Sequence, residues 1–193
     1  MSFEILGSRI LSPHFGNSVF VWGSLISVFL GGLTVGYWSG GFLADKKADY
    51  RIFSFLLFAP GLLLSFFPLY SDAVCNLVWD MNLDPRYSSL LSSLMLFFLP
   101  SIFMGAVSPY AVKLRVDSLT WLGKGVGGLY ALSSLGSIIG TLVTTFYLIT
   151  WIGVRKIIVC EGMILLLVSG ILFGVHCWHA RRSIGAEAAP PRH

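Results

Sequence analysis

The chain has 193 residues, 55% of them hydrophobic and only 11% charged, with a formal charge of +4. Soluble domains carry roughly a quarter charged residues, and a water-soluble protein of this size has too little interior to hide so much apolar surface. The composition excludes an ordinary soluble enzyme. It also gives no reason to expect a nucleic-acid partner: the cations form no basic stripe with interleaved aromatics, and they sit between apolar runs where membrane topology accounts for them.

The opening segment, MSFEILGSRILSPHFG, lacks the basic leader, long apolar stretch and cleavage site of a signal peptide. Its Glu4 and Arg9 are a lone acid and base in apolar surroundings, expected to form a structural pair sooner than a proton relay. A spanning helix needs about 20 mostly apolar residues. Five segments qualify, at 19–43, 52–70, 90–112, 129–149 and 157–177. The expected fold is therefore all-α, a polytopic membrane helix bundle with lipid as its main partner.

The first span carries Gly32, Gly36 and Gly40, and the third carries Gly105 between Pro100 and Pro109. Small residues four apart share one helix face and let neighbouring backbones approach closely. The prolines free backbone groups and favour a kink. Asp45 ends the first span in GYWSGGFLADKKADYR, a charged connection to the second. The second and fifth spans are Leu- and Phe-rich, as expected of lipid-facing helices, and SDAVCNLVWDMNLDPRY after the second reads as a loop.

GKGVGG, at residues 123–128, has no preceding strand, so its glycines read as a turn into the fourth span and not as a phosphate loop. The fourth span repeats the packing device with Gly136 and Gly140. Glu161 lies about one turn into the fifth. An intramembrane carboxylate is costly and often functional, although one this shallow can snorkel to the interface or meet Arg155 or Lys156. Glu4, Arg9, Asp45 and Glu161 are thus the candidate functional polar residues.

His176, Cys177 and His179 have the wrong spacing for a closed metal site. Cys75, Cys160 and Cys177 read as small packing residues, with a Cys75–Cys160 disulfide only weakly supported. No cofactor motif occurs. Residues 180–193, polar and ending near Pro190-Pro191, are expected to form a disordered cytoplasmic tail.

Orientation follows from the basic residues. Lys46, Lys47, Arg51, Lys113, Arg115, Lys124, Arg181 and Arg182 fall on one side, and Arg9, Arg86, Arg155 and Lys156 on the other. The richer side should be cytoplasmic, which puts the N-terminus outside and the C-terminus inside. The order of spans suggests two three-helix units, the first opening on a shortened helix in MSFEILGSRILSPHFG. Three-helix repeats are a common transporter plan.

Together these residues resemble the membrane portion of bacterial proteins that fuse a major-facilitator-like region to a spermidine-synthase-like domain. The likeness runs through EILGSRILSPHFGNSVFVWGSLISVFLGGLTVGYWSGGFLADKK, LPSIFMGAVSPYAVKL and GKGVGGLYALSSLGSIIGTLVTTFYLITWIG, in that order, over most of Glu4 to Gly153. The placing of Gly41, Asp45 and Arg51 is also similar to the tight loop after the second helix of major-facilitator proteins. There the aspartate faces helix N-termini, where the dipole favours an anion.

The resemblance implies a half-major-facilitator-like module in a bacterial inner membrane, leading into a cytosolic aminopropyltransferase-like fold. The 193 residues show neither the strand–helix alternation nor the acidic catalytic residues of such an enzyme. The expected role is a non-catalytic membrane module that anchors or assists a synthase-like protein partner, with passage of the product across the membrane as a further expectation. The alternatives are an assembly subunit of another membrane complex and a small oligomeric transporter.

Overall fold

Lipid offers no hydrogen-bond partners, so an apolar chain must satisfy its backbone internally. In the computed structural model, which describes residues 2–46, 48–115 and 122–187, the regular structure is helical throughout, with no strand among the described residues. The helices are α1 (Ser2–Phe15), α2 (Val19–Lys46), α3 (Tyr50–Ser65), α4 (Phe67–Asp80), α5 (Pro85–Arg115), α6 (Leu122–Val143) and α7 (Val154–Glu187). α6 runs on through a π turn, Thr144–Leu148, to a last turn at Ile149–Trp151. The fold is the expected integral membrane helix bundle.

Among the described residues four helices are long and apolar enough to cross a membrane by themselves, and α3 with α4, bent by 63°, is long and apolar enough as a pair. The bend lies at Phe66, two residues ahead of Pro68. Pro68 has no N–H to give the carbonyl of Leu64, and its ring would crowd that carbonyl. One helix ends and another begins. This corrects two expectations. The second span does not end at Tyr70, and most of the segment read as a loop is helical to Asp80, with Ser71, Cys75 and Val78 buried on one face.

Two close helix pairs hold the bundle. In the first, α2 lies along α5 with its glycines against the partner backbone. A Cβ on Gly32 would come 2.7 Å from Ser101 Cβ, and one on Gly40 2.5 Å from Ala106 Cα. Gly36 meets Gly105 and the Ile102 carbonyl in the same way. The contacts advance in the same direction on both helices, so α2 and α5 run parallel. The chain must cross back between them, and bent α3–α4 is that return span. α5 itself continues as one helix through Pro100 and Pro109.

The second pair is α3 with α7, running antiparallel. A Cβ on Gly162 would lie 2.6 Å from Ser65 N and 2.9 Å from the Gly61 carbonyl. Further along, Ser169 Oγ donates to the Ser54 carbonyl at 2.7 Å. The second and fifth spans are therefore not simply lipid-facing. Each packs one face on the other, while residues such as Phe58 stay exposed.

α1 wedges between these pairs. Its Phe3 rings against Phe29 of α2, Phe67 of α4 and Phe97 of α5, with centroids 5.2–5.8 Å apart. Edge-to-face aromatic contacts of this kind favour one arrangement over many. Gly16 (φ +73°) turns the chain from α1 into α2, and Gly153 (φ +85°) turns it from α6 into α7. α6 is the exception to this packing. Its flank from Leu132 through Tyr147 is largely uncovered. Its helix starts at Leu122, so the described part of GKGVGG is helical and not a turn.

Polar contacts close both ends. At one, Lys113 Nζ sits 2.8 Å from Asp45 Oδ1, and Arg51 Nε donates to His176 Nε2 at 3.2 Å. There too the buried Tyr110 hydroxyl accepts from Asp49 N and donates to Asp49 O, at 2.9 and 3.1 Å, pinning the α2–α3 connection. At the other end Arg155 pairs with Asp72 at 2.6 Å. Lys46, Arg51 and Lys113 thus share one end of the bundle and Arg86 and Arg155 the other, matching the grouping read from the sequence. α7 continues to Glu187, so residues 180–187 of the expected disordered tail are helical. Residues 188–193 lie outside the described residues.

Candidate functional site

Glu161 is the eighth residue of α7, which at 1.5 Å per residue sets it about 10 Å in from the helix start. Thr144 lies at a matching depth in α6, because α6 and α7 form a hairpin around Gly153. The first turn of α1 brings Ser2 between them. Its hydroxyl donates to Glu161 Oε1 and lies 2.8 Å from Thr144 Oγ1. A hydroxyl carries one proton, so Thr144 must donate to Ser2 for Ser2 to donate to the carboxylate. The result is a directed chain, Thr144 to Ser2 to Glu161.

Thr144 opens the π turn, and its carbonyl accepts from Ile149 N five residues on. The wider turn alters the phase of α6 at this level. Thr144 is buried while Leu142, Val143, Phe146 and Tyr147 around it are exposed. Beside the carboxylate lies a cavity of about 360 Å³, a cleft and not a sealed void. α6 contributes Ser133, Gly136, Ser137 and Gly140 to it. Phe3, Leu64, Met104, Ile164 and Leu165 supply the apolar lining.

No family model, curated protein or solved structure matches the chain. The geometry must therefore speak through its own residues.

The six glycines chosen for helix packing divide. Gly32, Gly36, Gly40 and Gly105 all lie in the α2–α5 contact. Gly136 and Gly140 do not pack on another helix, because a Cβ built on either meets nothing within 4 Å. The close contact expected of them, within the fold or against a partner, is not made within the fold; they line the cavity.

The polar candidates also separate. Glu161 is in the cavity, held by Ser2 and not by Arg155, whose partner is Asp72. Lys156 is exposed. Glu4 and Arg9 do not pair among the described residues. Five positions on a helix turn side chains roughly 140° apart, and Arg9 is exposed. Asp45 faces Lys113 at the end of the bundle, far along α2 from the carboxylate. Of the histidine cluster, His176 is occupied with Arg51 and no metal-ligating group gathers among the described residues. Cys177 and His179 have side chains outside the described ones. Cys75 is buried, Cys160 exposed, and neither is in a disulfide.

Sequence reasoning read Thr144 only as a small packing residue beside Gly136 and Gly140, and it missed Ser2 and the close contact of Gly61 with Gly162. The two glycines were visible as the small residues in otherwise bulky spans. Nothing in spacing could link Ser2 to a carboxylate 159 residues away.

Proposed function

We propose that the chain is a non-catalytic membrane module, in a bacterial inner membrane, that anchors or assists a spermidine-synthase-like partner on the cytosolic side. The observation that carries this reading is α7. In the sequence the apolar run gives way after His176 to the more polar CWHARRSIGAE, yet the helix runs to Glu187 without interruption. Eleven further helical residues add about 16 Å of rod beyond the apolar part. Such a rod, fixed below by Gly162 and Ser169 to α3, couples a cytosolic body rigidly to the bundle. The end it leaves from is also the one where Lys46, Arg51 and Lys113 gather, the distribution favoured on the cytoplasmic face.

The test is copurification in mild detergent with a synthase-like protein from the same cells. The parent should retain it, and a chain ending after His176 should lose it. Copurification with an unrelated membrane complex, unaffected by that truncation, would support the assembly-subunit reading instead. That second reading has its own support in the uncovered apolar flank of α6. The purified 193-residue chain should transfer no aminopropyl group, and robust turnover would overturn the non-catalytic assignment.

Orientation has a separate test. In a background without native cysteines, Lys46→Cys should resist an impermeant thiol reagent in intact cells while Arg86→Cys reacts. The reverse pattern would invert the topology.

A further inference from the structure

We propose that the cavity beside Glu161 binds a small organic monocation, an alkyl- or arylammonium with an apolar body. The lining joins one carboxylate and the serine hydroxyls of α6 to a wall of Phe3, Leu64, Met104, Ile164 and Leu165. Pockets of this kind hold a ligand's hydrocarbon by apolar contact and fix its orientation with a few polar groups. The volume of about 360 Å³ suits a molecule of one ring or a short chain.

Charge narrows the ligand further. A hard metal ion takes six or more oxygen ligands, and among the described residues no three metal-ligating side chains gather anywhere. A polyamine would bring several ammonium groups into a lining with a single carboxylate, leaving the others buried without partners. One ammonium is matched by one carboxylate.

The directed hydroxyl chain accounts for orientation. Ser2 holds Glu161 Oε1, so an ammonium approaching the carboxylate meets Oε2, while Ser137 and Ser133 of the same lining lie about 10 and 16 Å farther along α6, beside the ligand's body. Gly136 and Gly140 keep the α6 wall free of side chains, and a Cβ at either would enter empty space. The small residues of α6 thereby serve to keep room, where those of α2 bring backbones together. This site is independent of the synthase-partner reading, and either can fail without the other.

The experiment is equilibrium binding of 2-phenylethylammonium to the full chain in lipid nanodiscs, with binding to empty nanodiscs subtracted. The uncharged isostere 2-phenylethanol should bind about tenfold more weakly or worse, as the loss of a charged hydrogen bond implies. Glu161→Gln should lower the amine affinity by a similar factor. Gly140→Leu fills the cavity without touching the carboxylate and should also abolish binding, which keeps the test decisive if Glu161→Gln fails to fold. No saturable binding by the parent, equal binding of amine and alcohol, or tighter binding of spermidine than of the monoamine would each overturn the proposal.

Discussion

A Gly36→Leu chain is expected to lose its folded state in mild detergent at a markedly lower temperature than the parent, while Gly140→Leu unfolds where the parent does. At Gly36 the new side chain meets backbone: the Ile102 carbonyl, Gly105 Cα at 2.9 Å and Ala106 N at 3.0 Å. Backbone in a helix cannot swing aside as a long side chain can, so α2 and α5 must separate along their length. Overpacking typically costs 1–3 kcal/mol, and a whole-helix displacement belongs at about 3 kcal/mol or beyond. Gly140 has open space instead, and its substitution should stay within about 0.5 kcal/mol of the parent. Phe58→Leu, at an exposed site on α3, should also change little. Equal midpoints for Gly36→Leu and the parent would mean that α2 and α5 do not touch. A loss at Gly140 as large as at Gly36 would mean that α6 packs against something.

The second large effect is expected at Gly162. A leucine there meets Ser65 N at 2.6 Å, Ser65 Oγ at 2.7 Å and the Gly61 carbonyl at 2.9 Å. It should part α3 from α7 at a cost of about 2–3 kcal/mol. Gly170, on the same helix, has nothing within 4 Å, so Gly170→Leu is the matched control. Ser169→Ala removes the hydrogen bond to the Ser54 carbonyl and should cost less, about 0.6 kcal/mol by the measure of interhelical hydrogen bonds in membranes. Thermal midpoints in one detergent read all three. If Gly162→Leu and Gly170→Leu behaved alike, the α3–α7 contact would have to be withdrawn.

The two contacts were not equally legible in the sequence. Gly32, Gly36 and Gly40 repeat at intervals of four, and a period of four is itself a statement about one helix face. Gly105 between two prolines marked the partner. Gly61 stands alone in its span, and Gly162 shares its span with Gly170 and Gly174, but bulky apolar residues dominate both segments, so they looked lipid-facing. The bend at Phe66 was written in Pro68. The length of the apolar run masked it, because hydropathy counts residues and not direction.

In α4 the polar residues Asp72, Asn76 and Asp80 already recur four apart, with Ser71, Cys75 and Val78 buried beside them. Charge content drew that segment towards a loop where periodicity would have drawn it towards a helix. Glu161 was legible as a carboxylate out of place. Its hydroxyl partner Ser2 was not, since it lies 159 residues away in the chain. Gly136 and Gly140 show the limit from the other side. Their spacing equals that of the α2 stripe, but a stripe of small residues describes a smooth surface and not what lies against it.

The chain-order positions of the two helix pairs have a consequence for biogenesis. α2 and α5 can lock together once the first 115 residues have left the ribosome, but α3 must wait for α7, which begins 39 residues later at Val154. During that interval the small-residue face around Gly61 and the Ser54 carbonyl stand open in the bilayer, a substrate for membrane chaperones or quality-control proteases. A nascent chain stalled before α7 should therefore be cleared faster than one stalled after it, although both already contain the α2–α5 core.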